Sequence, residues 1–114
     1  MSDSTLIVAR MAPGSAARVA ELFRVSDQST DLPRELGVRR RSLFHYHGLY
    51  FHLVDFAGPA AEAMRGAPKL PEFQRLSEAL AEFITPYDPA TWRSPADAMG
   101  TEFYRYEAAV GALS

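Results

Sequence analysis

Two helix-period segments set among four strand-period segments, in the order strand, helix, strand, strand, helix, strand, predict an α+β fold. That order is the one of a ferredoxin-like sandwich, a four-stranded antiparallel sheet with its helices on one face, and two such units pair as a dimeric α+β barrel. His47-Gly48, at the centre of the order, is short enough for a two-residue hairpin loop and makes the middle strands antiparallel neighbours. At 114 residues the chain is one domain, residues 1–114, able to bury one core and too short for two.

The first strand is Thr5-Leu6-Ile7-Val8-Ala9-Arg10-Met11, rich in β-branched and apolar residues and stopped by Pro13-Gly14. Ser15 reads as a helix N-cap. Beyond it Val19, Leu22 and Phe23 recur at helical spacing while Arg18, Glu21 and Arg24 turn away, giving an amphipathic helix to about Ser29. Its apolar stripe runs on to Ser26 and Asp27. Leu32-Pro33 interrupts any further helix, and Gly37 supplies a second break.

Val38 to Tyr46 and Leu49 to Phe56 are the central strands. With Tyr46 opposite Leu49, Arg41 lies opposite Val54, Leu43 opposite His52 and His45 opposite Tyr50, all on one face, with Arg39 further along it. Arg41 and His52 are then diagonal neighbours. The other face carries Val38, Arg40, Ser42, Phe44 and Tyr46 against Leu49, Phe51, Leu53 and Asp55, so both faces are apolar enough to require cover. Gly58-Pro59 ends the hairpin and Ala60 to Arg65 is a short helix. Pro71 opens a helix whose stripe is Phe73, Leu76, Leu80, Phe83 and Ile84, stopped by Thr85-Pro86. A proline-rich loop with Trp92 leads to the last strand, Thr101 to Glu107. Helices on one face leave the other face bare and aromatic, which predicts a two-fold homodimer formed sheet to sheet.

Composition narrows the chemistry. The net charge is −2, from 12 basic and 14 acidic side chains, and the only basic run is Arg39-Arg40-Arg41, so nothing points to nucleic acid. No apolar run approaches a membrane span and Met1-Ser2-Asp3-Ser4 is unlike a signal peptide, which predicts a cytoplasmic protein. There is no cysteine, so catalysis must use oxygen, imidazole or guanidinium groups.

Those groups cluster between Asp27 and His52. Asp27 follows Phe23 by one helical turn, on the buried side of its helix, where it could accept or donate a proton; a frayed helix end would leave it solvated. His52, between Phe51 and Leu53, could serve as base, acid or hydrogen-bond donor, or be a core histidine satisfied by one backbone partner. Arg41 on the same face favours function, because a guanidinium can stabilise an enolate or phenolate oxygen. His45, His47 and His52 also admit a three-histidine metal site, against which His47 lies in the turn, His45 is near the sheet end and no carboxylate stands at ligand spacing. Glu35 sits in the loop entering the second strand. No phosphate-binding glycine loop, nucleophile elbow or dinucleotide fingerprint is present.

The segment Leu32-Pro33-Arg34-Glu35-Leu36-Gly37-Val38-Arg39-Arg40-Arg41-Ser42-Leu43-Phe44, followed by His47-Gly48-Leu49-Tyr50-Phe51-His52-Leu53, resembles the tetracenomycin-type aromatic polyketide cyclases. The likeness extends to Ala9-Arg10-Met11, Phe23, Asp27, Thr85-Pro86-Tyr87 and Glu102-Phe103-Tyr104, nearly the whole chain. It implies a cofactor-independent, homodimeric enzyme of bacterial aromatic polyketide (antibiotic) biosynthesis. The implied reaction closes a later ring of a partly cyclised polyketide by aldol condensation and loss of water. The polar pocket residues of the family fall on Asp27, Glu35, Arg41 and His52. On that footing His52 or Asp27 removes a methylene proton, Arg41 stabilises the oxyanion and Tyr50 or Glu35 orients the substrate. Phe23, Phe44, Phe73 and Tyr87 are candidates to wall a flat ring system, though such a stripe also serves as plain core. Transient contact with polyketide synthase components is a further implied partnership.

Two competing functions fit the same scaffold. One is a cofactor-independent oxygenase that oxidises anthrones to quinones, since fold alone does not choose the reaction. The other is a non-catalytic subunit that binds the nascent polyketide and steers its folding.

Overall fold

The computed structural model describes residues 3–93 and 95–108. Strands β1 (Asp3–Met11), β2 (Val38–Tyr46), β3 (Leu49–Phe56) and β4 (Ile84–Pro86) form one antiparallel sheet in the order β2-β3-β1-β4. Helices α1 (Ala16–Ser29), α2 (Leu32–Leu36), α3 (Ala60–Gly66) and α4 (Pro71–Leu80) complete the ferredoxin-like α+β sandwich. Among the described residues no helix is long and apolar enough to cross a membrane.

The hairpin has the register that its turn dictates: Tyr46 pairs with Leu49, Leu43 with His52 and Arg41 with Val54. His47 and Gly48 both have positive φ, 48° and 79°, the pair of left-handed residues that a two-residue turn needs to follow the twist of the strands. The register shifts once, between Val38 and Arg40. That bulge moves Val38 to the helix-covered face, against Phe56 and its neighbours, and takes Arg39 off the face of Arg41 into solvent.

Two further expectations are corrected. Pro33 does not end helical structure but opens α2, because a proline in the first turn lacks only an N–H that has no intrahelical acceptor. Gly37, at φ 75°, closes α2 with its N–H on the Arg34 carbonyl. Ser15 occupies the N-cap position of α1, yet its hydroxyl donates backwards to the Ala12 carbonyl and caps nothing.

The last strand is also not where aromatic content placed it. Residues 101–107 are irregular and exposed, with Phe103 97% exposed, while Ile84–Pro86 takes the place beside β1. Helix α4 ends at Leu80, and Phe83 and Ile84 stay in the core by way of a tight turn. Strand propensity is realised only where the side chains find a surface to pack on, and the rings of 103–106 are left exposed by the described residues.

The core forms two clusters under the helices. One gathers Ile7, Val54, Phe56, Ala60 and Met64, the other Ala9, Val19, Phe23 and Tyr50. His52, opposite Ile7, falls between them. The opposite face of the sheet exposes Leu6, Phe44, Tyr46 and Leu53.

Candidate active site

Between the inner face of the sheet and the helices lies a cavity of about 540 Å³, within the ordinary range of small-molecule sites. Phe23, Leu32, Met64, Phe73, Leu76 and Trp92 supply apolar wall, and Arg41, Tyr50 and His52 bring polar atoms to the sheet side.

Arg41 is the hub. Its Nε donates to one carboxylate oxygen of Asp27 at 3.0 Å and its Nη2 to the other at 2.8 Å, the two-pronged geometry that a planar guanidinium allows. Its Nη1 lies 3.0 Å from His52 Nε2. Arginine can only donate, so His52 Nε2 accepts and the neutral imidazole carries its proton on Nδ1. Three of the five guanidinium N–H groups are thereby used, and two have no partner among the described residues. The Phe23 ring packs against both groups, 5.0 Å from the Arg41 guanidinium carbon and edge-on to His52 at 5.2 Å.

Burial and the adjacent Arg41 cation together push the His52 pKa from 6.5 down to about 3, burial being the larger cause. His52 is therefore neutral throughout the physiological range. Burial pushes the Tyr50 phenol well above its ordinary value, with Arg41 opposing weakly, so Tyr50 is also neutral. The floor thus holds one cation, matched by Asp27, and two neutral hydrogen-bonding groups.

Sequence position brings Asp27, Arg41 and His52 together as expected, yet Asp27 stands behind Arg41 and does not line the cavity. Phe23, Tyr50 and Phe73 line it. Glu35 is exposed on α2, Phe44 lies on the outer sheet face, and Tyr87 is exposed beneath the Arg10 guanidinium, 4.5 Å from its ring centre; none of the three lines the cavity. His45 and His47 are exposed at the hairpin end, and no three His, Asp or Glu side chains converge among the described residues. Trp92 and the α4 residues Gln74 and Ser77 line the cavity without having been singled out as site residues. The signal for Trp92 was a large aromatic in a proline-rich loop, which needs apolar cover.

Residues 3–107 match the family model described as polyketide synthesis cyclase. An uncharacterized protein of Streptomyces coelicolor is 49% identical over 104 residues, 90% of this chain and 93% of its own. The polyketide synthase CurG of Streptomyces cyaneus is 40% identical over 90% of this chain and 94% of its own length. Tetracenomycin F2 cyclase of Streptomyces glaucescens is 38% identical over 95% of this chain and 97% of its own. The solved structure of that last protein, described as a type-II polyketide cyclase, superposes with a TM-score of 0.83, covering 94% of this chain and 99% of that one.

Proposed function

The chain belongs to the polyketide synthesis cyclase family, and from that premise we propose that it closes a later ring of a partly cyclised aromatic polyketide by intramolecular aldol condensation and loss of water, without a cofactor, in bacterial antibiotic biosynthesis. The observation that carries this reading is Arg41: a guanidinium on the cavity wall, locked by Asp27 and His52, with two N–H groups unspent. An oxyanion donor held rigid before the reaction does not have to reorganise as charge develops, and that preorganisation is the largest contribution available to such a site.

The methylene between two carbonyls enolises readily, so the chemistry asks little of a base and much of geometry. Phe23, Phe73 and Trp92 hold a flat partly cyclised ring, Arg41 takes the enolate oxygen, and the cavity shape selects one fold of the flexible chain. Asp27 and His52 act through Arg41, one on each side of its fork. Of the two candidate bases only His52 lines the cavity, and its Nε2 lone pair already serves Arg41. The substrate arrives in transient contact with the polyketide synthase.

The assembly is a homodimer joined through the outer sheet face, where Phe44 and Tyr46, 54% and 66% exposed, want cover. Phe44 then belongs to the interface rather than to the ring-binding wall. Phe44→Asp should convert a dimeric sedimentation coefficient to a monomeric one; an unchanged coefficient would remove this face from the interface.

The test of function is incubation of chelator-treated protein with partly cyclised aromatic polyketides, in air and under nitrogen, with products followed by mass and ultraviolet spectrum. The cyclase reading expects loss of one water in both atmospheres. A product heavier by one oxygen and formed only in air would make the protein an oxygenase, and tight binding without turnover would make it a folding subunit.

A further inference from the structure

Tyr50 is 4% exposed, lines the cavity, and makes no hydrogen bond through its hydroxyl with any described residue. No described side-chain nitrogen or oxygen is both sealed from solvent and without a partner, so the Tyr50 oxygen opens into the cavity rather than into packed core. Its ring is fixed by Ala9, Val19 and Phe23 and stands 6.2 Å from the His52 ring, beside the Arg41 cluster. The other hydroxyls on the cavity wall, Ser77 and Thr85, belong to more exposed residues. An aromatic hydroxyl that is rigidly placed, open to the cavity and unclaimed by any described residue is free to bond a ligand.

We propose that Tyr50 is the proton donor for the dehydration that follows ring closure, an assignment that rests on the cyclase reading and adds to it the residue that turns the aldol into an aromatic ring. After condensation the substrate is a β-hydroxy ketone whose carbonyl oxygen is held by Arg41. The carbinol C–O bond breaks and its electron pair leaves with the oxygen, which takes the phenol proton and departs as water. In the same step the C–H bond next to the carbonyl, acidified by the Arg41-held oxygen, supplies the electron pair of the new double bond, and its proton replaces the one that Tyr50 gave up. The substrate loses one water and Tyr50 ends as it began. Burial keeps the donor form at rest at neutral pH but makes the phenol a weaker acid than a free tyrosine, so the role draws on its fixed position and on the Arg41 charge, which opposes that rise.

The test separates dehydration from ring closure. A bicyclic β-hydroxy-tetralone, which needs only to lose one water to become a naphthol, is offered to wild type and to Tyr50→Phe, and naphthol fluorescence and ketol affinity are measured. The expected result is a rate lowered by about a hundredfold in the variant, the usual worth of a positioned acid, with affinity within about threefold of wild type. With the open polyketide, Tyr50→Phe should release the undehydrated adduct, one water heavier. Naphthol formation at the wild-type rate would overturn the assignment, and so would loss of ketol affinity in step with rate, which would make Tyr50 a binding residue. A wild type that dehydrates the ketol but leaves the open polyketide unchanged would overturn the cyclase reading while sustaining the dehydration step.

Discussion

Arg41→Met should lower kcat by about 10²–10³-fold with a much smaller change in KM, the signature of a lost oxyanion donor. Methionine keeps the length and much of the packing against Phe23 but offers no N–H. Two groups are also stranded: the Asp27 carboxylate, 33% exposed, and His52 Nε2, which has no other described donor. Asp27 regains some hydration at the surface, so the stability lost is roughly 2 kcal/mol, below the figure for a fully buried pair. Arg41→Lys keeps the charge but cannot serve both Asp27 oxygens and His52 together, and should recover only part of the rate. If Asp27 works only through Arg41, Asp27→Asn lowers kcat in the wild-type background and has no further effect on Arg41→Met. A variant Arg41→Met with kcat within threefold of wild type would remove the oxyanion role altogether.

The sheet-side half of the site could be read from sequence because strand side chains alternate strictly. Once His47-Gly48 set the turn, the face and the diagonal placement of Arg41 and His52 followed. Helical spacing likewise turned Asp27 inward. Neither period contains side-chain reach, so the sharing of one guanidinium between Asp27 and His52 was not visible, nor was the withdrawal of Asp27 from the cavity wall. The bulge at Arg39 was hidden for a related reason: one extra residue leaves the composition of the strand unchanged while reversing Val38. Residues 101–107 have the length and composition of a strand, whereas Ile84–Pro86 is three residues ending in proline, yet position beside β1 decided between them. The α4 and Trp92 walls depend on how helices and a loop pack over the sheet, which no local pattern records.

His52 offers the second large effect, in stability against pH. In the unfolded chain its pKa is the ordinary 6.5; in the folded protein it is about 3, so between those values the unfolded state binds a proton that the folded state does not. The stability His52 contributes is complete above pH 6.5 and is lost as pH falls toward 3, at up to about 1.4 kcal/mol per pH unit. Urea midpoints of wild type and His52→Gln should therefore converge as the solution is acidified, since carboxylates titrate alike in both and drop out of the difference. Parallel curves would mean that His52 is not held neutral. The same variant divides two roles for the imidazole. A glutamine oxygen can still accept from Arg41 Nη1 but cannot move a proton, so an orienting His52 predicts kcat within about tenfold of wild type for His52→Gln and a deeper loss for His52→Ala. Equal collapse of both would instead assign proton transfer to the ring, and an Nε2 lone pair released from Arg41 would then be the base that the cavity supplies.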